Sequence, residues 1–271
     1  GRPCFFAAFC YCLYLGVYNI SCMLAVNGNV VEVTNICKTF KGDLFQKPFS
    51  ALKDISFEIE KGESFGLIGV NGAGKSTTIK IILGVIFPDS GEVKILGDSP
   101  GALKVKKKIS YLPENPVFYE NLNGEDFIKF VGRLRGLEGK VLRDEVERWL
   151  FKVNLEKDGK KPLKKYSRGM IQRIGLAQAF IGNPELVILD EPLNGLDPLG
   201  RRMARDLIEE TLRLGTTVFF TSHILEDIER ICHRVAIIHS GRILRFVDVK
   251  DLKEGLEEVF IRTLEEYEES N

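Results

Sequence analysis

A glycine-rich run in the first third of the chain constrains the fold more than any other feature. It fits the pattern G-x-x-x-x-G-K-[ST], the P-loop, and reads Gly69-Val70-Asn71-Gly72-Ala73-Gly74-Lys75-Ser76-Thr77. A short apolar strand is predicted before it, at Ser64–Ile68, and a helix from about Lys75. A strand, a glycine turn and a helix in this order favour an α/β fold.

Strands and helices alternate along the rest of the chain. Further strands are predicted at Val30–Ile36, Leu52–Ile59, Val93–Leu96, Lys108–Leu112, Leu186–Leu189, Thr217–Phe220, Val235–Ile238 and Ile243–Val247. Helices are predicted after Asn123, over Leu142–Val153, near Met170–Ile181 and after Asp197-Pro198. The pattern predicts a P-loop core with a mainly parallel sheet, an N-terminal antiparallel β lobe and an inserted helical lobe at about 114–165.

The predicted core domain spans residues 27–250, between two unlike ends. Residues 1–26 form an apolar extension with the first methionine at Met23. Three interpretations are open: a segment upstream of a true start at Met23, a membrane anchor, or a signal sequence. Residues 251–271 form an acidic tail, and its end from Leu264 is expected to be a frayed helix end.

Charge and cysteine content exclude some classes of protein. Acidic and basic residues balance at 38 each, which argues against a nucleic-acid binder because such proteins usually carry a basic excess. Beyond the N-terminal extension only Cys37 and Cys232 remain, and they do not have CxxC spacing. A disulfide framework and a zinc site are therefore not expected in the core domain.

The P-loop residues predict a phosphate site. Glycines at Gly69, Gly72 and Gly74 let successive backbone N–H groups point at phosphate oxygens, and the helix that follows adds its positive end. Lys75 would reach the β- and γ-phosphates, and the Ser76 hydroxyl would bind Mg²⁺. An ordinary glycine turn at a helix start is the alternative interpretation.

A second candidate half of the site follows the apolar run Leu186–Leu189. Asp190 and Glu191 come directly after this predicted buried strand, so both carboxylates should lie at the carboxyl edge of the sheet, where ligands bind in open α/β folds. Asp190 would hold Mg²⁺, through water, and Glu191 would act as the general base toward the attacking water. Taken alone, the two acids are better explained as solvated residues at a strand end, but beside a P-loop the site interpretation is the better one.

Three further stretches make the chain resemble the ATP-binding proteins of ABC transporters. Tyr166–Met170 followed by Gln172-Arg173 resembles the signature motif, usually LSGGQ; residues 192–197 resemble the D-loop; and Thr221-Ser222-His223 resembles the switch histidine. All these motifs occur in the order and at the spacing of that family. The resemblance covers about residues 30–247.

The resemblance implies a shared ATP site. Two such domains pair head to tail, as a homodimer or heterodimer, so that each ATP lies between one P-loop and the other chain's signature. Ser167 and Gly169 would bind the γ-phosphate there, His223 would contact it, and Asp197 would face the partner's site. The resemblance also places an aromatic residue on adenine; Phe40 is the candidate, with Phe45 and Phe49 as rivals because of an insertion between Phe40 and Ala51.

Two departures from the family pattern stand out. Arg168 occupies a signature position that is often glycine, and Glu114 stands where the family has a glutamine that touches Mg²⁺ and the attacking water. The YLPE-type and YSRGM-type stretches are similar to the branch whose members mostly power exporters of drugs, antibiotics and lipids. Residues 256–260 also resemble that branch.

The resemblance implies an Mg²⁺-dependent ATPase that drives a separate transmembrane permease, docked by the helical lobe. Such a subunit is peripheral and lies on the cytoplasmic face of the cell membrane, with no nucleic acid as partner. The alternative is a soluble ABC-type ATPase that acts on DNA or ribosomes. Relatives of that class carry long coiled-coil or zinc insertions or two motors in one chain, and this sequence has neither.

Overall fold

A computed structural model of the 271-residue chain describes residues 28–41 and 48–270. The predictions for the extension at residues 1–26 and for Phe45 fall outside these residues. No helix within the described ranges combines the length and apolar character needed to cross a membrane.

The described strands form two sheets. In chain order the strands are β1 (Asn29–Phe40), β2 (Phe49–Glu60), β3 (Ser64–Ile68), β4 (Ser90–Ile95), β5 (Ile109–Leu112), β6 (Leu186–Asp190), β7 (Thr217–Thr221), β8 (Arg234–His239) and β9 (Arg242–Asp248). The larger sheet has the order β5-β6-β7-β3-β8-β9, and all its pairs are parallel except β8 with β9. The smaller sheet is antiparallel with the order β2-β1-β4, which confirms the predicted fold class.

Helices cover the larger sheet. They are α1 (Lys75–Ile82), α2 (Leu103–Lys106), α3 (Gly124–Leu134), α4 (Gly139–Lys152), α5 (Arg168–Phe180), α6 (Pro198–Arg213), α7 (Leu225–Ile231) and α8 (Leu256–Glu269). Two predicted helix starts are confirmed. The Asn123 side chain caps α3, and the Asp197 side chain caps α6 by accepting from Gly200 N. The sequence analysis did not predict α2 or α7.

Two apolar clusters lie on the two faces of the larger sheet. Alternation along β6 directs Leu186 and Ile188 into the cluster shared with the antiparallel sheet, and Val187 and Leu189 into the cluster under the helices. The rings of Phe57 and Phe65 stack at 5.3 Å and join the two sheets. Burial on both faces explains why the central strands are continuous apolar runs.

The predicted helical lobe contains α3 and α4. Trp149 of α4 is fully buried, and its ring stacks on Phe180 of α5 at 6.0 Å. The apolar residues of α3 and α4 belong to the same cluster as those under the larger sheet. These two helices are thus fixed firmly to α5, the helix that begins at the signature motif.

The acidic tail is more ordered than the sequence indicated. The helix α8 continues to Glu269 without fraying from Leu264. Leu256, Val259 and Thr263 are buried along one face, and the ring of Tyr267 contacts that of His239 at 5.3 Å. The apolar positions of this helix pack on the core, while its glutamates face solvent.

Candidate functional site

The P-loop leaves the end of β3 and closes tightly onto neighbouring backbone. Gly72 and Gly74 have φ of 80° and 118°, a region that side chains with a Cβ rarely adopt. A Cβ on Gly69 would lie 2.2 Å from the carbonyl oxygen of Ile238, and one on Gly74 would lie 2.7 Å from Leu52 Cδ2. The three glycines are therefore required by backbone conformation or by close approach.

The β8–β9 turn supports the loop from behind. Gly241 N donates to the carbonyl oxygen of Ala73 at 2.9 Å, and the Gly241 carbonyl accepts from Lys53 N at 2.7 Å. The turn therefore ties the P-loop to the antiparallel sheet. The Thr78 hydroxyl of α1 donates to the Gly74 carbonyl at 3.0 Å and fixes the start of the helix.

Lys75 lies half-buried above the loop. Its Nζ donates to the carbonyl oxygens of Gly69 at 2.6 Å and Val70 at 3.3 Å. Burial lowers the pKa of Lys75, and the negative charges of Glu191, Asp190 and Glu114 oppose that shift. The ammonium therefore lies close to the end of β6, where Asp190 and Glu191 are.

Asp190, the last residue of β6, lies between two hydroxyl groups. The Thr221 hydroxyl donates to its Oδ1 at 2.6 Å, and the Tyr111 hydroxyl lies 3.5 Å from its Oδ2. Burial raises the pKa of Tyr111 to about 12, with Asp190 adding to the shift, so this phenol stays protonated and can only donate to the carboxylate. Asp190 therefore has a defined orientation at the carboxyl edge of the sheet.

Glu191 is buried and strained. Its φ is 51°, in the left-handed region, which costs a residue with a Cβ roughly 1–2 kcal/mol. The Glu191 amide donates to the Thr221 carbonyl at 3.0 Å, and the Asn194 amide donates to the Glu191 carbonyl at 3.2 Å. Its carboxylate Oε2 lies 2.8 Å from Nδ1 of His223. Because a carboxylate only accepts, Nδ1 carries the proton in this contact.

These groups share one cleft of about 400 Å³. Its lining is Phe49, Ala51, Asn71, Gly72, Ala73, Gly74, Lys75, Ser76, Thr77, Glu114, Asp190, Glu191 and His223. The structure thus brings the P-loop together with Asp190 and Glu191 at the end of β6, with His223 and with Glu114. Phe40 does not line this cleft; it is the cross-strand partner of Phe49, which does.

The signature residues do not line the cleft. Ser167 is exposed and caps α5 by accepting from Met170 N at 3.2 Å. The exposed Arg168 lies against Gly195, since a Cβ on that glycine would be 2.8 Å from Arg168 Nε. Asp197 caps α6 and is 3.7 Å from Arg173. The signature and the D-loop thus form one surface patch apart from the P-loop.

The donors in the cleft fit Mg²⁺ held together with a phosphate group. Within the described residues, no group of three or more His, Cys, Asp or Glu side chains could hold a metal ion by itself. Mg²⁺ in nucleotide sites takes one or two carboxylates, a hydroxyl, water and phosphate oxygens. Asp190, Glu114 and the Ser76 hydroxyl, all lining one cleft, supply oxygen atoms of that kind.

The sequence analysis missed Tyr111 and Thr221. Both lie at the carboxyl edge of the larger sheet, Thr221 as the last residue of β7 and Tyr111 as the residue before the last of β5, and parallel strands bring their carboxyl ends to that same edge. Thr221 ends β7 and pairs with Asp190 in the parallel register of β6 and β7.

Comparisons with known proteins agree with this geometry. A family profile described as ABC transporter matches residues 52–194. An ABC transporter ATP-binding protein of Synechocystis sp. is 42% identical over 222 residues, 81% of this chain and 63% of that protein. One from Nostoc sp. is 41% identical, covering 80% and 65%. The chain thus spans just under two thirds of the length of these two relatives.

A relative whose name states a function and two solved structures are also similar to this chain. The bacitracin transport ATP-binding protein BcrA of Enterococcus faecalis is 36% identical, covering 82% of this chain and 70% of BcrA. A solved ATP-binding subunit of an ABC transporter is 30% identical with a TM-score of 0.78, covering 87% of this chain and 99% of that one. A dimeric ATP-binding cassette bound to ADP and phosphate has a TM-score of 0.74, covers 82% of this chain and 100% of that one and, at 23% identity, shares the fold.

Proposed function

The chain belongs to the ABC transporter family of ATP-binding proteins, and from this premise we propose that it binds and hydrolyses ATP with Mg²⁺ to drive a membrane permease. One observation carries the proposal: the P-loop, Asp190, Glu191, His223 and Glu114 all line one cleft. The cleft combines anion-binding backbone, a cation, a buried carboxylate and an imidazole, which are the groups that phosphoryl transfer to water requires.

The residues divide the reaction between them. N–H groups of the P-loop and the Lys75 ammonium bind the phosphates. Ser76 and Asp190, with Glu114 beside them, would hold Mg²⁺, which would neutralise negative charge on the phosphates. Glu191 accepts a proton from water as the water oxygen bonds to the γ-phosphorus and the bond to the β–γ bridging oxygen breaks. The products are ADP and phosphate.

His223 and Phe49 complete the mechanism. His223 Nδ1 donates to Glu191, which keeps the carboxylate oriented and leaves Nε2 for the γ-phosphate. Phe49 is exposed at the rim of the cleft, and we assign it to adenine stacking ahead of Phe40 because, of these two described candidates, Phe49 is the one that lines the cleft.

The second half of the site would come from a second ATPase subunit. Ser167 and Gly169 lie at the exposed start of α5, whose N–H groups have the polarity that binds a phosphate, yet they do not line this chain's own cleft. A head-to-tail pair, of identical or different chains, would bring that helix start to the partner's γ-phosphate. ATP would then join the two subunits, and its hydrolysis would release them.

The permease would dock on a groove beside the helical lobe. The groove has a volume of about 540 Å³ and is lined by Leu103, Lys106, Lys107, Phe118, Phe127, Val131, Leu134, Arg135 and Gln178. Leu103 and Leu134 are about 70% exposed, so apolar surface lies open beside basic side chains. This surface suits a permease segment on the cytoplasmic face of the membrane, and the YLPE-type and YSRGM-type stretches and the bacitracin transport relative support export.

Purification tests the proposal at both levels. The chain, expressed with the membrane proteins of its own source, should hydrolyse ATP and should co-purify with a membrane permease in mild detergent. Lys75→Ala should abolish the hydrolysis, and Leu103→Asp with Leu134→Asp should abolish the co-purification while hydrolysis persists. Co-purification with nucleic acid or ribosomes instead of a membrane protein would contradict the transporter hypothesis and favour an ABC-type ATPase that acts on DNA or ribosomes.

A further inference from the structure

Thr221 occupies a singular place between the two halves of the cleft. It is fully buried at the end of β7, and β7 lies between β6, which carries Asp190 and Glu191, and β3, which leads into the P-loop. Its hydroxyl donates to Asp190 Oδ1 at 2.6 Å, and its carbonyl accepts from Glu191 N at 3.0 Å. One residue thus contacts both acids, by its side chain and by its backbone.

The other side of Asp190 faces Tyr111. This residue is on β5, the strand on the opposite flank of β6, and its hydroxyl lies 3.5 Å from Asp190 Oδ2. The two carboxylate oxygens therefore each face one hydroxyl, a short contact from Thr221 and a long one from Tyr111. Val218, Phe219 and Phe220 of the same strand are apolar and buried, and the hydroxyl of the remaining residue, Thr217, accepts from Gly62 N. Thr221 is thus the residue of β7 whose hydroxyl contacts a carboxylate of the cleft.

We propose that Thr221 is a positioning residue: it orients the Asp190 carboxylate for Mg²⁺ and, through its carbonyl, fixes the strained backbone of Glu191. Tyr111 assists at the second oxygen. A carboxylate that binds a metal is held in register by hydrogen bonds from neighbours that do not touch the metal. This inference rests on the proposed function, and it gives roles to two residues that the sequence motifs contain but to which they assign none.

The role of the side chain can be tested without changing the backbone carbonyl. Thr221→Val keeps the shape and the carbonyl but removes the donor, whereas Thr221→Ser keeps the donor. Thr217→Val is a matched control: Thr217 is a fully buried threonine on the same strand, and its hydroxyl accepts from Gly62 N rather than contacting the cleft.

The primary measurement is metal binding. Each full-length variant is mixed with ADP, with the protein in excess over the nucleotide, and Mn²⁺ is then titrated in. The loss of the EPR signal of free Mn²⁺ gives the Mn²⁺ affinity. Thr221→Val should weaken that affinity about 10- to 100-fold, the usual effect of removing a hydrogen-bond partner of a metal ligand. Thr221→Ser and Thr217→Val should bind Mn²⁺ within about threefold of the parent protein, judged on that same scale.

Turnover provides the second measurement. Thr221→Val should lower kcat for ATP about 10-fold or more and leave KM within about threefold, since the P-loop holds the phosphates. Parent-like Mn²⁺ affinity in Thr221→Val, or an equal loss in Thr217→Val, overturns the inference. If Thr221→Val does not fold, Tyr111→Phe decides in its place, with unchanged Mn²⁺ affinity as the overturning result. A parent protein that neither binds ADP nor hydrolyses ATP would instead refute the proposed function itself.

Discussion

Nδ1 of His223 lies 2.8 Å from Oε2 of Glu191, although the two residues are 32 positions apart in the chain. They come from the ends of neighbouring parallel strands, β6 and β7, which pair from Leu186 with Thr217 to Asp190 with Thr221. The parallel register alone therefore delivers the carboxylate and the imidazole to one place. The contact joins the two groups to which the proposed mechanism assigns the attacking water and the γ-phosphate.

Glu191→Gln should abolish turnover without abolishing ATP binding. The amide keeps the size of the side chain but cannot accept a proton, and loss of a general base typically costs about 10²- to 10⁴-fold in rate. Lys75→Ala should instead weaken ATP binding, because the proposed mechanism places the Lys75 ammonium on the phosphates. Isothermal titration of ATP and steady-state hydrolysis assays separate the two effects. Hydrolysis by Glu191→Gln at near the parent rate would move the base to Glu114 or His223.

Gly74→Ala should damage ATP binding more than Gly72→Ala. Both positions have positive φ, so both alanines carry a strain of roughly 1–2 kcal/mol. Only at Gly74 would the new Cβ also meet Leu52 Cδ2 at 2.7 Å and the Ala51 carbonyl at 3.0 Å, whereas the space around Gly72 is open. We expect the ATP affinity of Gly74→Ala to be at least about 10-fold lower than that of Gly72→Ala, a difference of about 1.4 kcal/mol in binding free energy. Equal affinities would show that the close approach at Gly74 is unimportant.

Phe49→Ala should lower ATP affinity, and Phe40→Ala should not. Stacking of a base on an aromatic side chain contributes about 1–3 kcal/mol, and Phe49, unlike Phe40, lines the cleft. The two phenylalanines are cross-strand partners with similar exposure, so each variant is a control for the other. Competition between ATP and GTP for a fluorescent nucleotide measures the effect. A larger loss in Phe40→Ala would restore the first assignment from the sequence.

Ser167→Asp should prevent ATP-dependent dimerisation, and Ser167→Asn should have a smaller effect. Aspartate and asparagine both cap a helix well, so the start of α5 keeps its cap in either variant. Only aspartate places a negative charge where the partner's γ-phosphate would bind. In the Glu191→Gln background, size-exclusion chromatography with saturating ATP should show a dimer for Ser167→Asn and a monomer for Ser167→Asp. Persistence of the dimer in Ser167→Asp would argue against the shared site.

Stability should fall at alkaline pH because of Cys232. Burial raises the pKa of its thiol from 9.0 to about 12, so the folded state keeps the thiol neutral while the unfolded chain ionises above about 9. Below pH 9 the neutral Cys232 thiol contributes fully to the free energy of unfolding. As the pH rises from 9 toward 12, that contribution is lost by about 1.4 kcal/mol per pH unit. Urea unfolding at pH 8 and pH 10 should show a shallower decline for Cys232→Ala than for the parent. Cys37→Ala, at a half-exposed site, should decline like the parent.

The fold was largely predictable because its signals are local. The glycine pattern at residues 69–74, the helix caps at Asn123 and Asp197, and the apolar run Leu186–Leu189 each act over a few residues. The structure confirms the elements they predict, with shifts of a few residues at some ends. The tail and the short helices α2 and α7 were exceptions. The helix of the tail continues to Glu269 because an apolar face packs on distant elements, and local acidity does not reveal that contact.

The sequence by itself determined the residue types of the site and the glycine turn proposed to bind phosphate, since Gly72 and Gly74 meet a demand of the local backbone conformation. Only the tertiary structure decided which groups meet. Strand order and register place Thr221 and Tyr111 on either side of Asp190, direct His223 onto Glu191 and bring Phe49 rather than Phe40 to the cleft. These contacts join residues far apart in the chain, and their distances follow from how parallel strands align, which no short motif encodes.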